Sequence, residues 1–276
     1  MTERFGYRGQ TARMEHEEPL VGGVANAGAV VRVGRQVLRP SNPHTASIHR
    51  LLSFLASAGF DGAPVPVGIE PDGRERLEFV DGLVALPPYP EWAQSDRSLI
   101  SVAVLIRRFH AASRGFDLTG CSWSGEMADP SGGPVLCHND VCLENVVFRE
   151  GMATALLDFD FAAPGRPVYD LAQFARMCVP IDDDVNAANL GWAPADRPAR
   201  LRLVADAFGI DSAGRRQLIE VLDASMAAGG AFVRRRVEAG DLNFTAMWDA
   251  MGGAERFDRR RLWWVGHRAR FVDALA

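Results

Sequence analysis

The sequence predicts an α+β protein with two lobes, an N-terminal antiparallel sheet lobe and a mostly helical C-terminal lobe. Strand-forming segments joined by small-residue and Gly-containing turns occupy residues 19–80. A hairpin signal with Glu150-Gly151 at its turn lies mid-chain, and helix-period patterns follow residue 170. We therefore expect an N-terminal lobe over residues 1–82 and a C-terminal lobe over 83–276, with a ligand between them.

Composition excludes several classes of protein. The 276 residues are 47% hydrophobic and 24% charged, which is typical of a globular chain. A net charge of −5 argues against a nucleic-acid partner. Residues 1–17 have no clear period and are expected to be partly disordered. They contain no apolar signal core, and no run of about 18 apolar residues follows, so we expect a cytoplasmic protein without a membrane partner.

The N-terminal lobe begins with three predicted strands: Pro19–Gly23, Ala29–Val33 and Gln36–Arg39. Between the first two lies the small-residue loop Val24–Gly28, which contains Asn26. Small residues let backbone N–H groups approach a phosphate closely. A plain β-hairpin with small residues is the alternative interpretation of this loop.

The next segment predicts a helix that begins at Asn42-Pro43 and stops at Gly59. Its apolar stripe includes Ile48, Leu51 and Leu55, but residues 43–58 contain no Asp or Glu. Two further strands, Pro64–Gly68 and Arg76–Val80, are predicted around the turn at residues 71–73.

Helices dominate the C-terminal lobe. The apolar spacing predicts a helix over 98–113, capped by Ser95 or Asp96, and further helices over 171–178, 198–208, 213–239 and 259–274. The acidic run Asp182–Asp184 has two open interpretations, a contact with a cationic substrate or a solvated loop and helix cap. Cys137-His138-x-x-x-Cys142 lacks the second Cys/His pair that a zinc site needs.

The central segment carries the chemistry. It contains His138-x-Asp140-x-x-x-x-Asn145 and, after a hairpin, Asp158-Phe159-Asp160. If the turn places Phe148 opposite Ala153, then Asn145 lies opposite Leu156. Asp158 then shares its face by the period of two.

An amide oxygen and a carboxylate that face a common volume are ligands that Mg²⁺ accepts, together with substrate phosphates. A further carboxylate, Asp140, lies on the loop just before and can accept a proton from a hydroxyl group. These are the parts that phosphoryl transfer requires.

These two motifs, in this order, resemble the catalytic and metal-binding loops of the aminoglycoside phosphotransferase and choline kinase-like enzymes. The segment Gly165-x-x-x-x-Asp170-Leu171-Ala172 is also similar to that family. The resemblance implies a protein-kinase-like fold and a small-molecule O-phosphotransferase. ATP or GTP would be the donor, with Mg²⁺ as cofactor and a hydroxylated small molecule as acceptor.

The resemblance also implies a role for each matching position. Asp140 would orient and deprotonate the acceptor hydroxyl, and Asn145 and Asp158 would hold Mg²⁺. The nucleotide would be bound by Arg39 at the usual lysine position, by the loop of Asn26, and by the backbone of the hinge residues Phe79 and Val80.

Two departures keep alternatives open. Arg39 replaces lysine, and the following helix has no acid to pair with it, so a catalytically weak pseudokinase that binds a nucleotide or ligand is the second hypothesis. A protein-kinase-like regulator is the third, although only twelve residues separate Asp158 from Asp170, too few for a long peptide-docking segment. The acceptor stays open among an aminoglycoside, a cyclic peptide antibiotic, another antibiotic and a metabolite.

Overall fold

The computed structural model describes residues 16–24 and 26–276. The disorder expected at the N-terminus, except for residues 16 and 17, lies outside the described residues, as does Ala25 of the predicted phosphate loop. The strands are β1 (Glu18–Pro19), β2 (Val31–Val33), β3 (Gln36–Pro40), β4 (Pro66–Ile69), β5 (Arg74–Glu78), β6 (Val135–Cys137), β7 (Val146–Arg149), β8 (Met152–Leu156) and β9 (Ala163–Gly165). The α-helices are α1 (Thr45–Ser57), α2 (Asp96–Ala112), α3 (Pro167–Cys178), α4 (Asp184–Asn189), α5 (Arg197–Phe208), α6 (Ser212–Glu238), α7 (Leu242–Ala250) and α8 (Gly253–Leu275).

The first five strands form one antiparallel sheet in the order β1-β2-β3-β5-β4. The chain returns through β4 to the edge before β5 inserts beside β3, which places Arg39 directly opposite Glu75. Helix α1 covers this sheet with its buried apolar face. The helix begins at Thr45 instead of Pro43 because the Asn42 side chain accepts a hydrogen bond from the backbone N–H of His44 at 2.7 Å, forming a turn ahead of it.

The segment that connects the lobes, at Gly82 and Leu83, is hydrogen-bonded to the β7–β8 hairpin. Leu83 and Phe148 exchange backbone hydrogen bonds of 2.9 and 2.7 Å. Gly82, with φ of +143°, has no room for a side chain, since a Cβ there would lie 2.4 Å from a Val147 methyl carbon. The hinge therefore has a fixed course across the β7–β8 hairpin.

The hairpin confirms the expected turn and corrects the expected register. Phe148 lies opposite Ala153, and both turn residues, Glu150 and Gly151, have positive φ, as a two-residue hairpin loop requires. A β-bulge between Val147 and Phe148 then shifts the pairing, so that Val146 and not Asn145 lies opposite Leu156. The expected pairing of Asn145 with Leu156, from which we placed Asn145 and Asp158 on one face, is thus wrong by one residue.

The C-terminal lobe is helical as predicted, with α2, α3 and α5 packed around a core that includes Phe109, Phe174 and Leu201. Ser95 caps α2 by accepting the N–H of Ser98 at 3.1 Å. The short helices α4 and α7 were not predicted, and α3 starts at Pro167, four residues earlier than expected. No helix in the described ranges is long and apolar enough to cross a membrane.

Candidate active site

The loop that carries Asp140 is hydrogen-bonded to Asp170 of α3. The Asp170 carboxylate, with no exposed surface, accepts the backbone N–H groups of His138 at 2.9 Å and Asn139 at 2.8 Å. The ring of His110 binds the same carboxylate at 2.8 Å. Burial alone would raise the pKa of Asp170, but these hydrogen bonds and the neighbouring histidines hold it below its ordinary value. The anchor holds Asn139 in the left-handed region, at φ of +66°.

Asp140 and Asn145 are brought together by direct contact. The Asn145 side-chain nitrogen donates to the backbone carbonyl of Asp140 at 2.9 Å and to its carboxylate at 3.0 Å. Burial raises the pKa of Asp140 to about 7, and the negative charge of Asp158 acts in the same direction. The positive charge of Arg176, on α3, opposes that rise. A carboxylate with a pKa near neutrality is suited to accept a proton from a hydroxyl group at physiological pH.

Asp158 follows strand β8 and lies beside the loop that carries Asp140 and Asn145. The backbone carbonyl of Asn145 accepts the N–H of Leu157 at 2.8 Å, which brings Asn145 beside the residue that precedes Asp158. Asp158 has φ of +59°, an uncommon conformation for a residue with a side chain. Phe159 then turns inward against the ring of His138, with 4.7 Å between ring centroids. The left-handed turn separates the buried Phe159 from the partly exposed Asp158 carboxylate.

Arg39 binds three carboxylates, and two of them belong to the other lobe. Its Nε donates to Glu75 at 2.6 Å, its Nη1 donates to Asp158 at 2.8 Å, and its Nη2 donates to Asp160. Burial alone would lower the pKa of Arg39, but the three carboxylates raise it, so the guanidinium stays charged. The structure thus places the Arg39 guanidinium between the two lobes and gives Asp160 a partner, a role that the sequence left open.

Glu75 is the site residue that sequence reasoning missed. It is 1% exposed and also binds His49 of α1, with 2.8 Å between His49 Nε2 and Glu75 Oε2. Burial alone would raise its pKa, but the hydrogen bond from His49 and the charge of Arg39 lower it. A signal was present, because Glu75 precedes the buried Leu77 by two residues and therefore shares its inward face.

The donor set fits the Mg²⁺ that the resemblance implies. The Asn145 amide nitrogen is engaged by Asp140, which leaves the amide oxygen without a hydrogen bond among residues 16–24 and 26–276. The Asp158 carboxylate is 28% exposed and receives Arg39 through one oxygen. Hard oxygens with accessible surface are the ligands that Mg²⁺ takes.

The other predicted nucleotide residues lie near the sheet. The backbone N–H of Phe79 is already bonded to the carbonyl of Arg35 at 2.8 Å, whereas the backbone groups of Val80 have no protein partner within the described ranges. Asn26 lies in the turn between β1 and β2, where its carbonyl accepts the N–H of Ala29 at 3.0 Å. Among the described residues, Val80 is therefore the hinge residue whose backbone N–H has no protein partner.

Two residues of the acidic run, Asp182 and Asp183, have structural partners, whereas the Asp184 side chain is exposed and pairs with Arg197. Asp183 caps α4 by accepting the N–H of Asn186 at 3.1 Å, and Asp182 pairs with Arg256 of α8 at 2.8 Å. Both acids are buried. Asp182 and Asp183 therefore fasten helices together in the C-terminal lobe.

The chain is similar to a known protein family and to a known protein. Residues 122–204 match the model of a phosphotransferase enzyme family. A trifolitoxin immunity protein from Rhizobium leguminosarum bv. trifolii is 28% identical to this chain, in an alignment that covers 95% of this chain and 100% of that protein.

Two solved structures have a similar fold. A choline/ethanolamine kinase family protein from Mesorhizobium loti superposes with a TM-score of 0.63 at 17% identity, covering 96% of this chain and 94% of its own. The GDP complex of aminoglycoside 2'-phosphotransferase-IIIa gives a TM-score of 0.59 at 16% identity, with coverages of 91% and 94%. The chain therefore has the protein-kinase-like fold of small-molecule kinases, and its central segment matches the phosphotransferase enzyme family.

Proposed function

We propose that this protein is a Mg²⁺-assisted phosphotransferase that transfers the γ-phosphoryl group of ATP or GTP to a hydroxyl group of a small molecule. The observation that carries this proposal is a set of polar contacts across the cleft. Arg39 of the sheet reaches Asp158, and Asp140 and Asn145 bind each other on the loop beside it. Cation, metal ligands and base thus meet where the lobes face each other.

Each residue has a role that its surroundings support. Asp140 accepts the hydroxyl proton and orients the oxygen for attack on the γ-phosphorus. Asn145 and Asp158 would hold Mg²⁺, which supplies positive charge to the phosphate oxygens when bound. Arg39 contacts the phosphates with its forked donors. Positioning and charge neutralisation account for most of the rate in such a site.

The lobes divide this work. In the proposal, residues 1–82 bind the nucleotide, with the loop of Asn26 near the phosphates and the backbone of Phe79 and Val80 near the base. Residues 83–276 supply the base, the metal ligands and the acceptor site. Because the N–H of Phe79 is bonded to the carbonyl of Arg35, the base would use the backbone of Val80 and the carbonyl of Phe79.

For the acceptor, we propose an antibiotic or toxin that carries a hydroxyl group. The support is the name of the curated relative, a trifolitoxin immunity protein, and the fold shared with an aminoglycoside phosphotransferase. Phosphorylation adds charge to a hydroxyl and alters how the molecule binds its target.

A catalytically weak nucleotide-binding protein is the second candidate. The observation that favours it is the ion pair of Arg39 with Asp158 and Asp160, which engages a proposed metal ligand. The two candidates differ in turnover, because a pseudokinase would bind triphosphate without consuming it.

The test is a nucleotide-consumption screen with purified protein, Mg²⁺ and ATP or GTP. The acceptor panel contains aminoglycosides, hydroxylated peptide antibiotics, choline and ethanolamine, with mass spectrometry of the products. We expect an acceptor that gains one phosphoryl group with wild type and not with Asp140→Asn. Triphosphate binding without turnover on any acceptor would favour the pseudokinase, and no triphosphate binding would refute both candidates.

A further inference from the structure

Arg39, the cation proposed to bind the triphosphate, pairs with Glu75, a carboxylate on strand β5. We infer that Glu75 and His49 position Arg39 for phosphate binding, in place of the helix acid that residues 43–58 lack. This inference rests on the function proposed above and assigns a positioning role to two residues outside the motifs.

The sheet register brings the pair together. Arg39 on β3 and Glu75 on β5 are directly opposite, so their side chains leave the same face of the sheet. Arg39 Nε and Glu75 Oε1 are 2.6 Å apart, and the Glu75 side chain is 1% exposed. A carboxylate so deeply buried cannot reach a nucleotide, so its effect on binding must pass through Arg39.

The guanidinium uses its two ends differently. Its Nε end is bound to Glu75, while Nη1 and Nη2 meet Asp158 and Asp160 of the other lobe. Asp158 and Asp160 are 28% and 18% exposed, so this end of the guanidinium meets carboxylates that solvent can reach, unlike the buried Glu75. Phosphate oxygens can therefore replace the carboxylates at Nη1 and Nη2 while Glu75 keeps Nε in place. A planar fork held at one edge keeps the direction of its remaining donors.

Helix α1 supports the carboxylate instead of supplying it. His49 Nε2 lies 2.8 Å from Glu75 Oε2, and because an ionised carboxylate only accepts, the imidazole is the donor. His49 thereby satisfies the second oxygen of a buried acid and ties α1 to Arg39 through Glu75. The helix carries the donor and the strand carries the acid.

The first experiment measures the affinity of the full chain for ATP and GTP with Mg²⁺ by calorimetry. Glu75→Gln keeps the shape and removes the charge, and we expect it to weaken triphosphate binding by on the order of tenfold. Glu70→Gln is the matched control, because Glu70 forms an ion pair with Arg76 at 2.6 Å in the same lobe, at 32% exposure. Glu70→Gln should bind triphosphate like wild type.

A double-mutant cycle separates positioning from a general structural role. In an Arg39→Ala background, Glu75→Gln should cause no further loss of triphosphate affinity, because Arg39 transmits its effect. His49 gives a second route to the same answer: His49→Gln, which keeps a donor, should bind closer to wild type than His49→Phe, which has none.

The outcomes are distinct. Absence of triphosphate binding by wild type would overturn the proposed function. Wild-type affinity in both Glu75→Gln and His49→Phe, or equal losses from Glu75→Gln with and without Arg39, would overturn the positioning role and leave the proposed function standing.

Discussion

Replacement of Asp170 by Asn tests how the base-bearing loop is held. The carboxylate accepts two backbone N–H groups and one imidazole nitrogen at 2.8–2.9 Å with no exposed surface. An amide keeps one oxygen, so whichever way it lies at least one of these donors faces an NH₂ group. The cost combines a lost charge-assisted bond, about 1.5–3 kcal/mol, with the penalty for an unpaired buried donor, about 1–3 kcal/mol. We expect Asp170→Asn to lower the free energy of unfolding by about 3–5 kcal/mol.

The assay is urea unfolding followed by circular dichroism, with Asp61→Asn as the control. Asp61 pairs with Arg108 at 2.7 Å on the surface, where it is 82% exposed, so its loss should cost less than about 1 kcal/mol. If Asp170→Asn matches this control, the carboxylate is not what holds the backbone of His138 and Asn139, and the account of the loop is refuted.

The pH dependence of this difference has a fixed sign. The pKa of Asp170 is lowered in the folded protein, so its contribution is present above the ordinary carboxyl pKa of about 3.9. It is lost as the pH falls through the lower, folded value. The gap in unfolding free energy between wild type and Asp170→Asn should therefore persist from neutral pH to about pH 4 and shrink below it.

The remaining predictions concern turnover and nucleotide binding. Asp140→Asn should retain triphosphate binding and lose transfer by about a hundredfold or more; an almost unchanged kcat with a confirmed acceptor would exclude Asp140 as the base. Without Mg²⁺ or nucleotide, the Asp140 carboxyl group should titrate with a pKa of about 7 in an NMR titration, because burial and the charge of Asp158 raise its pKa; a pKa near the ordinary value of about 3.9 would contradict this. Arg39→Ala should weaken triphosphate binding or slow transfer by roughly 1–3 kcal/mol, with Arg39→Lys restoring only part; wild-type affinity and kinetics in both variants would remove Arg39 from the phosphate site.

The sequence predicted those elements whose signals are local. The Glu150-Gly151 turn and the pairing of Phe148 with Ala153 follow from turn chemistry and alternation. The bulge after Val147 has no comparable local signal, because one extra residue in a strand is fixed by what packs around it. The position of Asn145 was therefore predicted correctly in outline and wrongly in register.

The partner of Arg39 shows a second limit of sequence reasoning. The absence of an acid from residues 43–58 indicated that any carboxylate partner of Arg39 lies elsewhere in the chain, and the structure places this acid on β5. That strand reaches β3 only after the chain has gone out to the sheet edge through β4. Non-sequential strand pairing is a property of the whole sheet. The inward face of Glu75, two residues before Leu77, indicated a buried acid but could not identify its cation.

The proposed mechanism requires Asn145 and Asp158 to bind Mg²⁺ together with a nucleoside triphosphate. Calorimetry with ATP and GTP, with and without Mg²⁺, tests it most directly in wild type and in Asp158→Ala, with Asp72→Ala as a control at an exposed turn acid. We expect Mg²⁺ to strengthen triphosphate binding in wild type and in Asp72→Ala, and we expect Asp158→Ala to lose this metal dependence. Triphosphate binding that is indifferent to Mg²⁺ in wild type and in Asp158→Ala alike would contradict it.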